Sequence, residues 1–433
     1  MPTKEAPSRR FYLTLSAYCL GQAVVWGGLT VIGVPSRVEQ LVARDRLGIA
    51  VGAIAGLGAL AAGLGLILIG ALSDRWRGSS GRRRPFVLAG ALLALPGFWG
   101  YATTTTFLGL LLSVTWLQIA VAVATGPYHA LIPDLVPQDR LGEASAYQGV
   151  AQLLGSAAGP LLAGVLLASA AASQANRGPS TLAAILGGTL VVTAVVTYLG
   201  VRERPAQEWP PPKALLETMS FDFRKYPSFG WLIVSRFFIT MGFVTALGFL
   251  LYYVQFTFAN SHARALTLTT EMQVLATVAG LVGTFPAGRE ADRSSKKRVI
   301  YISAGLCLAA GLCFAVSPIF PLAFLSALVF GLGWGAFAAV DWSLACELVP
   351  EEETARYMGA WGFSLTLPGV LGPLLAGPLA DLVNAAAPGW AGPGPGYRLV
   401  MLLSVLYFTA GVLAVRHIRE ARETAAAGTP PKS

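Results

Sequence analysis

Apolar residues in this chain run in long uncharged blocks and do not alternate with polar ones. One block, Phe11–Val34, follows Lys4, Arg9 and Arg10; the next, Leu47–Leu72, runs into the basic stretch Gly70–Pro85. About 20 apolar residues in a helix cross the hydrocarbon core of a bilayer. Read this way, the pattern predicts twelve helices, at 11–34, 47–72, 85–104, 107–132, 144–171, 180–201, 229–257, 266–288, 299–317, 320–347, 357–383 and 397–416. The divisions at Thr103–Thr106 and Ser317–Pro321 are inferred, because the uncharged stretches there are about twice one helix length. No segment alternates at period 2 as a barrel strand would. The expected fold is an all-α polytopic membrane protein with twelve transmembrane helices.

Composition removes the soluble alternatives. Only 12% of the 433 residues are charged and 55% are hydrophobic, whereas a soluble domain carries about 25% charged residues. The deficit extends along the whole chain, which excludes a soluble domain with one anchor. A net charge of +9 would suggest a polyanion partner in a soluble protein. In a membrane protein it reflects retention of lysine and arginine on the cytoplasmic face, so no nucleic acid partner is expected. Twelve spans from a cytoplasmic N-terminus place most of the 31 basic residues inside, with Arg37, Arg44, Arg46, Arg177, Arg264 and Arg398 outside. A multi-pass protein of the inner membrane, both termini cytoplasmic, is the expected location. Phe11–Val34 is too long for a signal h-region and reads as the first span. Cys19, Cys307, Cys313 and Cys346 lie in apolar runs without close pairing, so neither a disulfide framework nor a metal site is expected. No cofactor is implied.

The long polar connection around Pro205 and Pro210–Pro212 divides the helices into two sets of six. The expected domains are 1–202, a linker 203–226, 227–417 and a tail 418–433. The two halves repeat. Gly70-x-x-x-Asp74-Arg75 recurs as Gly288-x-x-x-Asp292-Arg293, Asp134-Leu-Val-Pro137 as Glu347-Leu-Val-Pro350, and Gly159-Pro160-Leu-Leu-Ala-Gly164 as Gly372-Pro373-Leu-Leu-Ala-Gly377. Three matches in one order at nearly one offset indicate a duplicated six-helix unit.

With this duplicated loop, its helix count and its linker, the chain resembles the major facilitator superfamily of secondary transporters. The stretch SDRWRGSSGRRRPF, Ser73–Phe86, is similar to the loop of the sugar-type branches, the glycoside–pentoside–hexuronide and sucrose-like symporters. The resemblance implies alternating access, two bundles rocking about a site near the bilayer midplane. It also implies a cytoplasmic gate built from Gly70, Asp74, Arg75, Arg82, Arg83, Asp292 and Arg293. In that gate Asp74 sits near a helix N-terminus, and the arginines bridge Asp134, Glu143 or Glu347. The first copy, with its arginine triplet, is expected to be the stronger side, so that neutralising Asp74 costs more transport than neutralising Asp292.

Ionisable residues inside apolar helices are expensive and therefore candidates for function. Arg236 in the seventh helix and Asp341 in the tenth stand out, and opposite charges on helices of one half suggest an ion pair. A carboxylate that gains and loses such a partner can bind and release a proton, so Asp341 is the candidate proton carrier. At the repeat offset, Asp341 and Trp342 correspond to Tyr128 and His129, which makes His129 the second proton candidate. A polar, aromatic-lined substrate cavity is expected from Gln22, Trp26, Tyr128, Gln148, Gln152, Trp342 and Trp361. Gln22 with Trp26, and Gln148 with Gln152, are four apart and share helix faces. Tyr252, Tyr253, Gln255 and Gln273 are further candidates for that cavity, with an outer aromatic belt as the alternative place for the two tyrosines, and Glu271 and Asp381 fit solvated helix ends. No serine–histidine–acid set is expected from only three histidines, His129, His262 and His417, and no nucleotide-binding loop occurs. The chain is thus read as a transporter and not an enzyme, a proton- or sodium-coupled symporter of a sugar-like small molecule. Proton-coupled efflux of an amphipathic molecule is the alternative, since Gly155-x-x-x-Gly159-Pro160 is similar to an antiporter motif, departing from it at Ala146 and Ala163.

Overall fold

The computed structural model describes residues 8–76, 81–137, 140–173, 177–203, 226–259, 261–293, 295–348, 354–386 and 394–418. Within these, twelve helical stretches are long and apolar enough to cross a membrane. The chain forms two compact units, Met1–Pro212 with Asn260–Thr270, and Lys213–Ala259 with Glu271–Ser433. The linker residues 204–225 lie outside the described residues.

The first unit begins with α1 (Arg9–Gly28), which passes through a π-helical turn, Leu29–Gly33, into α2 (Val34–Leu41). It continues with α3 (Leu47–Arg75), α4 (Arg84–Thr103), α5 (Phe107–Leu135), α6 (Leu141–Ala172) and α7 (Gly178–Gly200). The helices of the second half are α8 (Pro227–Gly248), α9 (Leu250–Thr257), α10 (His262–Arg293), α11 (Lys296–Val316), α12 (Phe320–Leu348), α13 (Thr354–Ala386) and α14 (Pro395–Val415). Helix starts follow local chemistry. The Ser8, Thr106 and Ser295 hydroxyls accept hydrogen bonds from the N–H groups of Phe11, Gly109 and Arg298, and proline occupies the first turn of α4, α7, α8 and α14.

The predicted spans match these helices, with two differences. The first span does not stop at Val34 but continues to Leu41 through the π-turn. The seventh is not one helix: Phe249, at φ −114° and ψ 9°, separates α8 from α9. The inferred breaks correspond to the end of α4 at Thr103 with α5 starting at Phe107, and to α11 ending at Val316 before α12 at Phe320.

Duplication is visible in the packing. In the first unit α1 packs on α6 and α7, and α4 on α5 and α7. In the second, the corresponding α8 packs on α13 and α14, and α11 on α12 and α14. Small residues permit the closest of these approaches. A Cβ at Gly159 of α6 would lie 2.3 Å from the Val24 carbonyl oxygen of α1, and one at Gly155 2.5 Å from the Ala23 Cβ. The antiporter-like stretch therefore forms the seam between α1 and α6. Gly159→Leu is expected to lower thermal stability by about 3 kcal/mol, the upper range for forcing side-chain volume into a packed contact. Thermal unfolding in detergent measures it, and an unchanged Tm would contradict the seam.

Two aromatic and acidic placements are corrected. Tyr252 and Tyr253 are fully buried rather than belted at an interface. The Tyr253 hydroxyl donates to the Phe314 carbonyl at 2.5 Å, and Tyr252 packs on Phe256 and Tyr397. The apolar faces of these rings are covered by neighbouring helices, which stabilises them more than interfacial solvation. Glu271 is exposed as expected, whereas Asp381 is buried.

Candidate functional site

In the second unit, α8 and α12 meet along one seam. Arg236 NH1 of α8 pairs with Asp341 Oδ2 of α12, and the two residues are only 7% and 2% exposed. The other carboxylate oxygen, Oδ1, is buried and accepts no hydrogen bond among the described residues. About two helical turns away on each helix sit Phe243 and Trp334. Their rings stack with centroids 3.5 Å apart and planes 9° apart. Because both partners on each helix are separated by the same seven positions, the ion pair and the ring stack lie on one face of each helix. Both rings are partly exposed, and Phe337 packs against Trp334 with centroids 5.6 Å apart. The seam thus combines a nearly dry ion pair with an accessible aromatic surface. Trp334 and Phe243 were not among the sequence candidates. Their signal was the seven-residue spacing from Asp341 and Arg236.

At the corresponding places in the first unit, Tyr18 of α1 faces Tyr128 of α5, with ring centroids 5.0 Å apart. Tyr128 is buried; its hydroxyl donates to the Leu15 carbonyl at 2.9 Å and accepts from Gln148 Nε2 at 2.9 Å. Gln152, one turn on, accepts from the Cys19 thiol at 3.3 Å. The structure therefore joins Tyr128, Gln148 and Gln152 to α1. Gln22 and Trp26 are partly exposed on α1. His129 is exposed beside Tyr128. The side chains of Trp342 and Trp361 lie outside the described residues.

The basic loop before α4 is organised from the end of α7. The Glu203 carboxylate accepts from the backbone N–H of Arg82 at 2.5 Å, Arg83 at 2.8 Å and Arg84 at 2.6 Å. It is an anion seated on a helix N-terminus. In return, Arg84 NH1 donates to the carbonyls of Tyr198 and Val201 at the C-terminal end of α7, at 3.2 and 2.7 Å. Its guanidinium carbon stands 5.2 Å from the Tyr198 ring centroid. Gly81, at φ +106°, makes the turn; a Cβ there would lie 3.2 Å from the Glu203 carboxyl. Of the proposed bridging acids, Asp134 pairs with Arg83, while Glu143 pairs with its own neighbour Arg140 at 3.3 Å. Glu203 was missed because nothing in its local sequence marks it as a partner of a loop so distant in the chain. The side chains of Asp74, Arg75, Asp292 and Glu347 lie outside the described residues; Arg293 is exposed.

A histidine–acid–serine chain, not expected from the sequence, does assemble. His262 Nδ1 lies 2.6 Å from Glu39 Oε2, and its Nε2 lies 3.0 Å from Ser36 Oγ.

The sequence profile of the Major Facilitator Superfamily matches residues 18–373 and 265–430. The chain belongs to this superfamily. It is a multi-pass membrane transporter and not an enzyme. Uncharacterized MFS-type transporters of Mycobacterium tuberculosis, from two strains, are 30% identical over 105 residues, 24% of this chain. That match spans only 15% of the relatives' own length. Among solved structures, a bacterial homolog of the human lysosomal transporter Spinster, inward-facing and unoccupied, superposes with a TM-score of 0.71. It is 18% identical and covers 95% of this chain and 98% of its own. The nucleoside transporter NupG gives a TM-score of 0.65 at 16% identity, over 94% and 98% of the two chains. A D-xylose-proton symporter gives 0.66 at 16%, over 93% and 97%. At these identities the likeness is one of fold.

Proposed function

We propose that this superfamily member is a secondary active transporter of the inner membrane that takes up a sugar or glycoside together with a proton by alternating access. Both termini and the Arg82–Arg84 loop face the cytoplasm in this reading, as the distribution of basic residues requires. The observation that carries it is the α8–α12 seam. A buried carboxylate with one oxygen on a guanidinium and one that accepts no hydrogen bond among the described residues is built to exchange a proton when its partner moves. Burial disfavours the lone charged carboxylate, and the arginine restores it. Sodium would suit the same carboxylate, but the guanidinium occupies the place where a metal ion's charge would sit. The adjoining Phe243–Trp334 surface offers an aromatic face to the C–H side of a sugar ring. The scaffold is one that a D-xylose-proton symporter also uses. The gate role of Gly70, Asp74, Arg75, Arg82, Arg83, Asp292 and Arg293 belongs to this reading, with Glu203 as the element that holds the arginine triplet in place.

A substrate screen in proteoliposomes with an imposed pH gradient tests it. Sugar accumulation accompanied by proton entry is the expected result. Dye extrusion without sugar uptake would replace symport by the efflux alternative. Within the symport reading, Trp334→Ala is expected to raise the half-saturating sugar concentration about tenfold, the equivalent of one aromatic contact. Maximal uptake should fall much less, and an unchanged half-saturation would remove the ring from the binding surface.

A further inference from the structure

Helices of the second unit close around a cavity of about 20 Å³, room for little more than one water-sized group. It continues the seam of the Arg236–Asp341 pair and the Phe243–Trp334 stack. Ala246 and Leu247 follow Phe243 on α8 by three and four positions, and Phe330 precedes Trp334 on α12 by four. These spacings put the cavity on the same helix faces as the stack, about one turn further from the ion pair. Phe330 joins the two places. It lines the cavity, and its ring lies parallel to that of Phe243, with planes 6° apart and centroids 5.9 Å apart. Met272, Phe314 and Met401, all buried, wall it from α10, α11 and α14.

Of the described residues lining this cavity, Gln273 of α10 alone carries a polar side chain. Its Oε1 is buried and accepts no hydrogen bond among the described residues. A buried amide oxygen left unpaired is unfavourable, and the cavity dictates what can pair with it. A water needs about two to four polar partners and would find one. An ion would meet apolar walls with no opposite charge. A methyl group would fill the space and leave the oxygen unpaired. A hydroxyl on a short carbon stem suits both features, with the stem against Phe330 and the methionines and the O–H donated to Oε1. It would pair equally with the Nε2 end of the amide, since a hydroxyl both donates and accepts.

Resting on the sugar reading of the seam, we propose that this cavity receives the exocyclic hydroxymethyl group of a hexopyranose stacked on the Phe243–Trp334 rings. Gln273 is then the residue that selects hexose over pentose. One turn of helix is about 5.4 Å, a step that a substituent of a stacked sugar ring covers. A pentopyranose carries hydrogen in place of the hydroxymethyl group, so it leaves the cavity empty and Gln273 unpaired.

The test is equilibrium binding of two sugar trios to the purified full-length chain in nanodiscs. One is D-glucose, 6-deoxy-D-glucose and D-xylose; the other is D-galactose, D-fucose and L-arabinose. Each trio keeps the ring hydroxyls constant and changes the exocyclic group from hydroxymethyl to methyl to hydrogen. In the trio that binds more tightly, the hexose is expected to bind about tenfold more tightly than either of its companions, the equivalent of one buried hydrogen bond. Gln273→Leu keeps the volume and removes the amide, so the hexose should lose its advantage over the 6-deoxy sugar. If Gln273→Leu does not purify as a folded protein, Ala327→Val, which narrows the cavity from α12, replaces it, and hexose affinity should fall to that of the pentose or below. A pentose or 6-deoxy sugar bound by the unaltered protein as tightly as the hexose, or an unchanged hexose preference in the variant, would overturn the role of Gln273 and leave the sugar reading in place. Binding of none of the six sugars would overturn both.

Discussion

Asp341→Asn is expected to abolish proton-driven uptake in proteoliposomes and to destabilise the protein at the same time. The two effects have different causes and separate in a second variant. Asp341 and Arg236 are both buried, and each offsets the desolvation of the other. Removing one partner leaves an uncompensated buried charge, which costs about 3–5 kcal/mol. Replacing both, as in Asp341→Asn with Arg236→Gln, removes the ions together and should recover most of that stability. Transport should not recover, because no group remains to carry the proton. The measurements are thermal unfolding and uptake under an imposed pH gradient, made on both variants. Proton-driven uptake surviving in the double variant would take Asp341 out of the coupling mechanism. A double variant as unstable as Asp341→Asn alone would mean that the pair does not compensate as the geometry indicates.

A second large effect is expected at Glu203. Its carboxylate receives three consecutive backbone N–H groups at the start of α4. Hydrogen bonds to a charged group contribute roughly 1.5–3 kcal/mol each. Sharing one carboxylate makes them less than additive, so Glu203→Ala should cost about 3–4 kcal/mol in unfolding free energy. Asp134→Asn, which removes one ion pair with Arg83, should cost less. Uptake is expected to fall in Glu203→Ala because the triplet loses its fixed conformation. Thermal unfolding and initial uptake rates of the two variants provide the comparison. Asp134→Asn proving the more damaging of the two would shift the centre of the loop from the backbone cradle to the ion pair.

The asymmetry between the halves gives these experiments a wider meaning. The same helix pair carries two tyrosines in one unit and an arginine with an aspartate in the other. Duplication preserved the place where the helices meet, while among the described residues only the second copy holds a buried ion pair there. The coupling chemistry would then reside in the second half, and the Arg82–Arg84 loop, with its Glu203 clamp, in the first.

What the amino-acid order determined by itself was everything that a uniform solvent dictates locally. Twelve apolar blocks, their proline and serine starts and the duplicated Gly-x-x-x-Asp-Arg loop are all consequences of a chain meeting hydrocarbon. So was the suspicion attached to Arg236 and Asp341, since a charge in an apolar block is costly wherever it ends up. Tertiary structure alone decided the partners. Glu203 is distant in the chain from Arg82–Arg84, as His262 is from Ser36 and Glu39, and no local spacing records which helix ends come together. The burial of Tyr252, Tyr253 and Asp381 was hidden for the same reason, because a residue near the end of an apolar block may face water, lipid or another helix. Membrane helices lack a strong apolar drive to associate. Their contacts are set by small residues, close packing and a few polar pairs, all of them properties of two surfaces at once.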